Sequence, residues 1–85
     1  MSSIFLYFFV KYIYMSIFSE RLNKTMEYKN ISQNKLAQTI HVSQSLINKF
    51  CLGTREPSMQ TLVSICKALN ESSDYLLGLD NNENL

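Results

Sequence analysis

The 85-residue chain holds one proline, two glycines and no tryptophan. A small β-sandwich or barrel needs a tight turn every few residues, and those turns draw on glycine and proline. Their scarcity excludes that architecture and leaves helices as the default. Histidine occurs once, at His41, with no acidic pair beside it, and there is no glycine-rich phosphate loop. Both absences argue against an enzyme. The two cysteines, Cys51 and Cys66, fall inside apolar helical patterns, which suggests reduced thiols in a cytoplasmic protein and not a disulfide framework. A zinc site built from these two and His41 lacks any short ligand pair of the C-x-x-C kind and is rejected; no cofactor or metal is expected. Long apolar runs are missing too. Residues 4–10 are uninterrupted, but Lys11 follows, whereas a membrane span needs roughly 20 apolar residues. A signal peptide would want a basic segment before the apolar stretch and a small-residue cleavage site after it, and neither is present.

What is present is unevenly distributed. The formal net charge is only +1, yet residues 19–70 hold seven basic side chains against three acidic ones, a balance of +4. The tail carries Glu71, Asp74, Asp80 and Glu83 with no basic residue, a balance of −4, and Lys11 supplies the last unit. Aromatic residues crowd into the first 18 positions, where seven of the ten lie. The length fits one small domain, with too little chain for a two-lobed cleft.

From Ser19 onward the apolar spacing is helical. Ser19 is expected to cap a first helix carrying Leu22 and Met26, with Asn30 ending it in a left-handed conformation. Ser32 caps a second helix with Leu36, Ala37 and Ile40 inward. Ser43 caps a third with Leu46, Ile47 and Phe50 inward, stopping at Gly53. After a loop over residues 54–57, Pro57 and Ser58 start a fourth helix with Leu62, Ile65, Cys66 and Leu69 on one face. Ser72 or Ser73 caps a short fifth helix that ends at Gly78, and residues 80–85 form a polar tail. Only His41, Val42 and Ser43 separate the second and third helices. So short a link makes the two cross steeply, and the small Ala37 suits their point of closest approach. That is the pattern of a DNA-binding helix-turn-helix.

Four stretches sharpen this pattern: residues 31–37 (ISQNKLA), 42–47 (VSQSLI), 53–58 (GTREPS) and 69–78 (LNESSDYLLG). Together, in this order and spacing, they make residues 18–79 resemble the phage-repressor/Cro-type (Xre) helix-turn-helix family. The resemblance implies an all-α, five-helix, lambda-repressor-like domain that binds DNA. Relatives commonly begin a few residues before the position matching Phe18. Three readings of residues 1–17 stand: leader sequence ahead of a natural start at Met15, a segment packing on the domain or a partner, or one dipping into a membrane interface. The family's usual start favours the first, and native protein whose N-terminal sequence begins at Met1 would overturn it.

On the third helix the outward positions are Gln44, Ser45, Asn48 and Lys49. Gln44 and Asn48 are four apart and share a face, and their amides can both donate to and accept from adenine in the major groove. The resemblance assigns base contact to Gln44 and Ser45, beside the capping Ser43. It places Gln33 on a phosphate, where the free N–H groups of a helix start favour an anion, and runs Thr54 and Arg55 along the DNA backbone. Lys49 can reach a phosphate or guanine. The expected dimer surface is Tyr75, Leu76, Leu77 and Leu79, some of which core packing will claim.

The chain also departs from the family. His41 stands where glycine is usual, because the backbone there tends toward positive φ, a conformation histidine tolerates better than most residues. Many relatives bury an arginine of the first helix against a glutamate late in the third; the matching positions here are Met26 and Cys51, both apolar. Thr25 is polar where an aliphatic residue is usual. The expected function is therefore sequence-specific DNA binding by a homodimeric, repressor-like regulator of prokaryotic or phage origin, on two half-sites about one helical turn apart. The rival is a protein-interaction or antitoxin-like module, with membrane association through residues 1–18 as its remoter form.

Overall fold

The computed structural model describes residues 2–80, and every described element is helical. Helix α1 runs Ser2–Tyr28, α2 Gln33–Ile40, α3 Gln44–Leu52, α4 Met59–Leu69 and α5 Ser73–Leu77. The five-helix, all-α expectation holds. Its first boundary does not: α1 passes unbroken through Ser19, so Ser19 is a mid-helix residue and not a cap. Residues 3–18 contain neither glycine nor proline, and nothing local stops the helical hydrogen-bond ladder from running through them. The 27 residues of α1 extend about 40 Å at 1.5 Å per residue, matching the molecule's longest dimension of 41 Å.

The other boundaries are set by side chains. Ser32, Ser43, Ser58 and Ser72 each have extended backbone and accept the N–H three residues on, giving every helix after the first a serine N-cap. Left-handed residues close the helices at Asn30, His41, Gly53, Asn70 and Gly78. Gly78 is required twice over. Its φ is +77°, and a Cβ there would lie 2.8 Å from Ile17 Cγ2, so α5 can end against α1 only without a side chain.

Phe18, Leu22 and Met26, four apart on α1, form one wall of the core. Leu36 and Ala37 of α2, Ile47, Phe50 and Cys51 of α3, Ile65 and Leu69 of α4 and Leu76 of α5 complete it. Phe18 meets Phe50 edge to face with centroids 6.3 Å apart, a favoured aromatic geometry. Thr25 is buried at 4% exposure within this otherwise apolar interior. Of the expected tail only Asp80 is described; it pairs with Arg21 of α1 at 2.7 Å.

Candidate nucleic-acid interface

The corner between α2 and α3 determines how α3 is presented. His41 takes φ 62° and ψ 46°, and Val42 N–H donates to the Ala37 carbonyl at 3.0 Å. Three residues thus turn the chain, with Ala37 buried at the junction. Ser43 then caps α3, its hydroxyl oxygen accepting from Leu46 N–H at 3.1 Å. Ile47, Phe50 and Cys51 face the core, which turns Gln44, Ser45, Asn48 and Lys49 out to solvent, all exposed. An outward face of two amides, a hydroxyl and an ammonium group presents donors and acceptors that side-chain rotation alone can bring to base edges.

The far end of α3 is anchored to α1. Ser19 Oγ donates to the Cys51 carbonyl at 2.6 Å, and Asn23 Nδ2 donates to the same oxygen at 2.8 Å. That carbonyl belongs to the last turn of α3, where no intrahelical N–H remains to satisfy it. Two side chains from one helix therefore fix the direction of another. Neither was legible as a site residue in the sequence. Their partner lies 32 and 28 positions away, and a polar residue on an exposed helix face gives no local sign of such a bond.

The remaining expected contacts lie near the C-terminal end of α3. Thr54 is exposed, and its hydroxyl donates to the Lys49 carbonyl at 3.3 Å, closing the helix end. Arg55 is exposed in the following loop. Gln33 is half-buried beside Cys51. Burial pushes the Cys51 thiol above its ordinary pKa, and the hydrogen bond with Gln33 opposes that shift. Cys51 Sγ lies 3.9 Å from Met26 Sδ, so the two positions that carry a buried ion pair in many relatives do meet here, as two sulfurs.

Charge along this stretch of the chain is of one sign. From Tyr28 to Arg55 the sequence holds Lys29, Lys35, Lys49 and Arg55 and no acidic residue. The next acid, Glu56, is bridged to Lys11 at 3.1 Å. The Lys11 ammonium is held above its usual range, first by hydrogen bonding to that carboxylate and then by its charge. Lys29 is occupied elsewhere, donating to the carbonyls of Leu69 and Asn70 at the end of α4, so Lys35, Lys49 and Arg55 define the basic rim. Among the described residues no group of three or more His, Cys, Asp or Glu side chains converges as a metal site would require.

At the expected dimer surface one residue must be reassigned. Leu76 is wholly buried at 0% exposure and belongs to the core, out of reach of a second chain. Tyr75 is half-buried under Arg21, whose guanidinium sits 4.6 Å from the ring centroid while Nη1 donates to the Tyr75 carbonyl at 2.8 Å. Leu77 is half-buried and Leu79 is 53% exposed.

A capped helix turned polar side out, joined by a three-residue corner to the helix before it, defines a helix-turn-helix domain. A helix-turn-helix family model matches residues 19–76, and the chain belongs to the Cro/C1-type, or Xre, family. It is 36% identical over 67 residues to the HTH-type transcriptional regulator YqaE of Bacillus subtilis, covering 79% of this chain and 58% of that protein. It is 33% identical to the prophage-derived HTH-type transcriptional regulator YonR of the same organism, covering 72% of this chain and 56% of YonR. Similarity to the HTH-type transcriptional activator BcrR of Enterococcus faecalis is 35% over 71% of this chain and 29% of that protein. The chain therefore spans somewhat over half the length of the two Bacillus relatives. No solved structure matches it.

Proposed function

We propose that the protein is a DNA-binding transcriptional regulator that places α3 in the major groove. One observation carries the reading: the outward face of α3 is exposed, rich in amide and hydroxyl groups, and rimmed by Lys35, Lys49 and Arg55 with no unpaired acid among them. Gln44 and Asn48 reach base edges, with Gln44 matched to adenine, and Ser45 lies beside them. Ser43 in this reading donates its hydroxyl proton to a phosphate while its oxygen caps the helix. Gln33, Thr54 and Arg55 contact phosphates, and Lys49 takes a phosphate or guanine. The names of YqaE, YonR and BcrR, all HTH-type transcriptional regulators or activators, support the same class of activity.

One such domain reads few base pairs, so specificity calls for a homodimer on two half-sites about one helical turn apart. Tyr75, Leu77 and Leu79 form its contact in this reading. The action is repressor-like, since a domain seated on an operator needs no further surface to block a promoter. Its setting in this reading is the cytoplasm, from a prokaryotic or phage gene. No described helix is long and apolar enough to cross a membrane. Gel-shift titration against genomic fragments, beginning with DNA upstream of its own gene, tests the reading. Specific complexes of this kind hold at about 10⁻⁸–10⁻¹¹ M at physiological salt. Binding weaker than micromolar without sequence preference would refute it and favour a protein-interaction module.

A further inference from the structure

The N-terminal half of α1 packs on almost nothing in its own chain. Between Ile4 and Val10 each side chain is apolar or aromatic and 47–69% exposed, and Tyr12, Ile13 and Tyr14 continue the exposure. Seven consecutive apolar residues cover nearly two turns, so this part of the helix is apolar on every side. Helices of that kind are found buried. Lys11 is the only charged side chain between residues 1 and 19, and it is turned back to Glu56 of its own domain.

A second unpartnered surface lies next to it. Met59, Leu62, Val63, Cys66 and Leu77 supply the apolar lining of a groove of about 640 Å³ between α4 and α5, whose polar side is Lys67, Glu71 and two serines. Leu62 and Leu77 also line the smaller apolar hollow formed with Tyr14, Met15 and Phe18 of α1. The projecting helix, the hollow and the groove are thus continuous and largely apolar, with Met59 81% and Val63 47% exposed.

We infer that this surface is the interface with a second copy of the chain: the projecting helix of each copy seats in the α4–α5 groove of the other about a twofold axis. A self-complementary pair closes, covering helix and groove on both chains at once. The area suffices. Six aromatic and four aliphatic side chains at these exposures leave roughly 900 Å² of apolar surface per chain, taking about 150–250 Å² for each fully buried aromatic. Covering half of that on two copies, with the surface opposite, removes about 1,800 Å² from water, within the roughly 1,200–2,000 Å² of stable specific interfaces. A lipid surface fits less well, because an interfacial helix keeps a polar face toward water, which residues 4–10 lack.

The inference rests on the homodimer reading and supplies a different contact for it, joined to the α5 surface through Leu77. Sedimentation equilibrium of the full 85-residue chain tests it against Phe9→Glu, Val63→Glu and Leu79→Glu, with helicity and binding to a single half-site duplex as folding controls. The expected result is a dimer at micromolar concentration whose dissociation constant rises about tenfold or more in both Phe9→Glu and Val63→Glu, with half-site binding unchanged. If only Leu79→Glu weakens the dimer, the pair forms through α5 and the inference is wrong while the homodimer stands. A full chain that sediments as a monomer overturns both. A monomer that co-pellets with phosphatidylcholine–phosphatidylglycerol vesicles in a Phe9-dependent way gives the helix to the membrane instead.

Discussion

Replacing Cys51 alone by glutamate should unfold much of the protein's stability margin. Cys51 is 8% exposed, its Sγ lies 3.9 Å from Met26 Sδ, and it belongs to the apolar core, with the uncharged Gln33 as its polar neighbour. A carboxylate placed there is nearly fully desolvated with no cation to meet it, and an uncompensated buried charge of this kind costs about 3–5 kcal/mol. Three extra heavy atoms in a packed site add to that figure. For a domain of this size a loss of 3 kcal/mol lowers Tm by roughly 12–24 °C, which circular dichroism melts resolve easily. Desolvation raises the folded-state pKa of the new carboxyl above its unfolded value, so the proton is held more tightly in the native state. The destabilisation should therefore be largest at neutral pH, where the folded protein must accommodate a charge or hold a costly proton. It should shrink as pH falls through the raised pKa toward the unfolded one. Adding Met26→Arg should restore part of the loss, because it recreates the ion pair of many relatives. A single variant melting with the wild type, or a double variant no more stable than the single, would refute the reasoning.

Four further outcomes follow from the same geometry. Gln44→Ala should cost about 1–3 kcal/mol on the cognate site and relax preference at one base pair; equal loss on scrambled DNA, measured by anisotropy, would move Gln44 to the backbone contacts. Arg55→Ala should weaken binding to all sequences and flatten the plot of log affinity against log salt by about one unit; an unchanged slope would show that it touches no phosphate. Ser19→Ala with Asn23→Ala should cost about 1–3 kcal/mol in urea melts by leaving the Cys51 carbonyl without a donor. DNA affinity should fall with it as α3 loses its anchor, and a double variant as stable as the parent would disprove that role. Leu76→Ala should cost about 2–5 kcal/mol by opening a core cavity; a stable variant with a weakened dimer would return Leu76 to the interface.

The local rules of the chain were readable before any coordinates. Serine caps at Ser32 and Ser43, the left-handed stops at Asn30, Gly53 and Gly78, and the inward residues of α2, α3 and α4 depend on neighbours within about four positions. Such interactions are written in sequence spacing. The outward face of α3 was legible for the same reason, since fixing which side of a helix is buried fixes the side that is not.

Other features needed the fold. Ser19 carries a capping residue's chemistry, but the cap loses to a helix that continues through it and instead bonds a carbonyl of α3. Leu76 and Leu79 are both leucines near one end of the chain. Packing alone makes one of them core and the other half-exposed surface. The meeting of Arg21 with Tyr75 and Asp80 joins residues 54 and 59 positions apart. The sequence thus determined each helix, its ends and its polar side, because these are settled by short-range hydrogen bonding and periodicity. Only the tertiary structure decided which polar side chains anchor α3 and which apolar ones are left without a partner. Those outcomes depend on distances between elements, which no local pattern encodes.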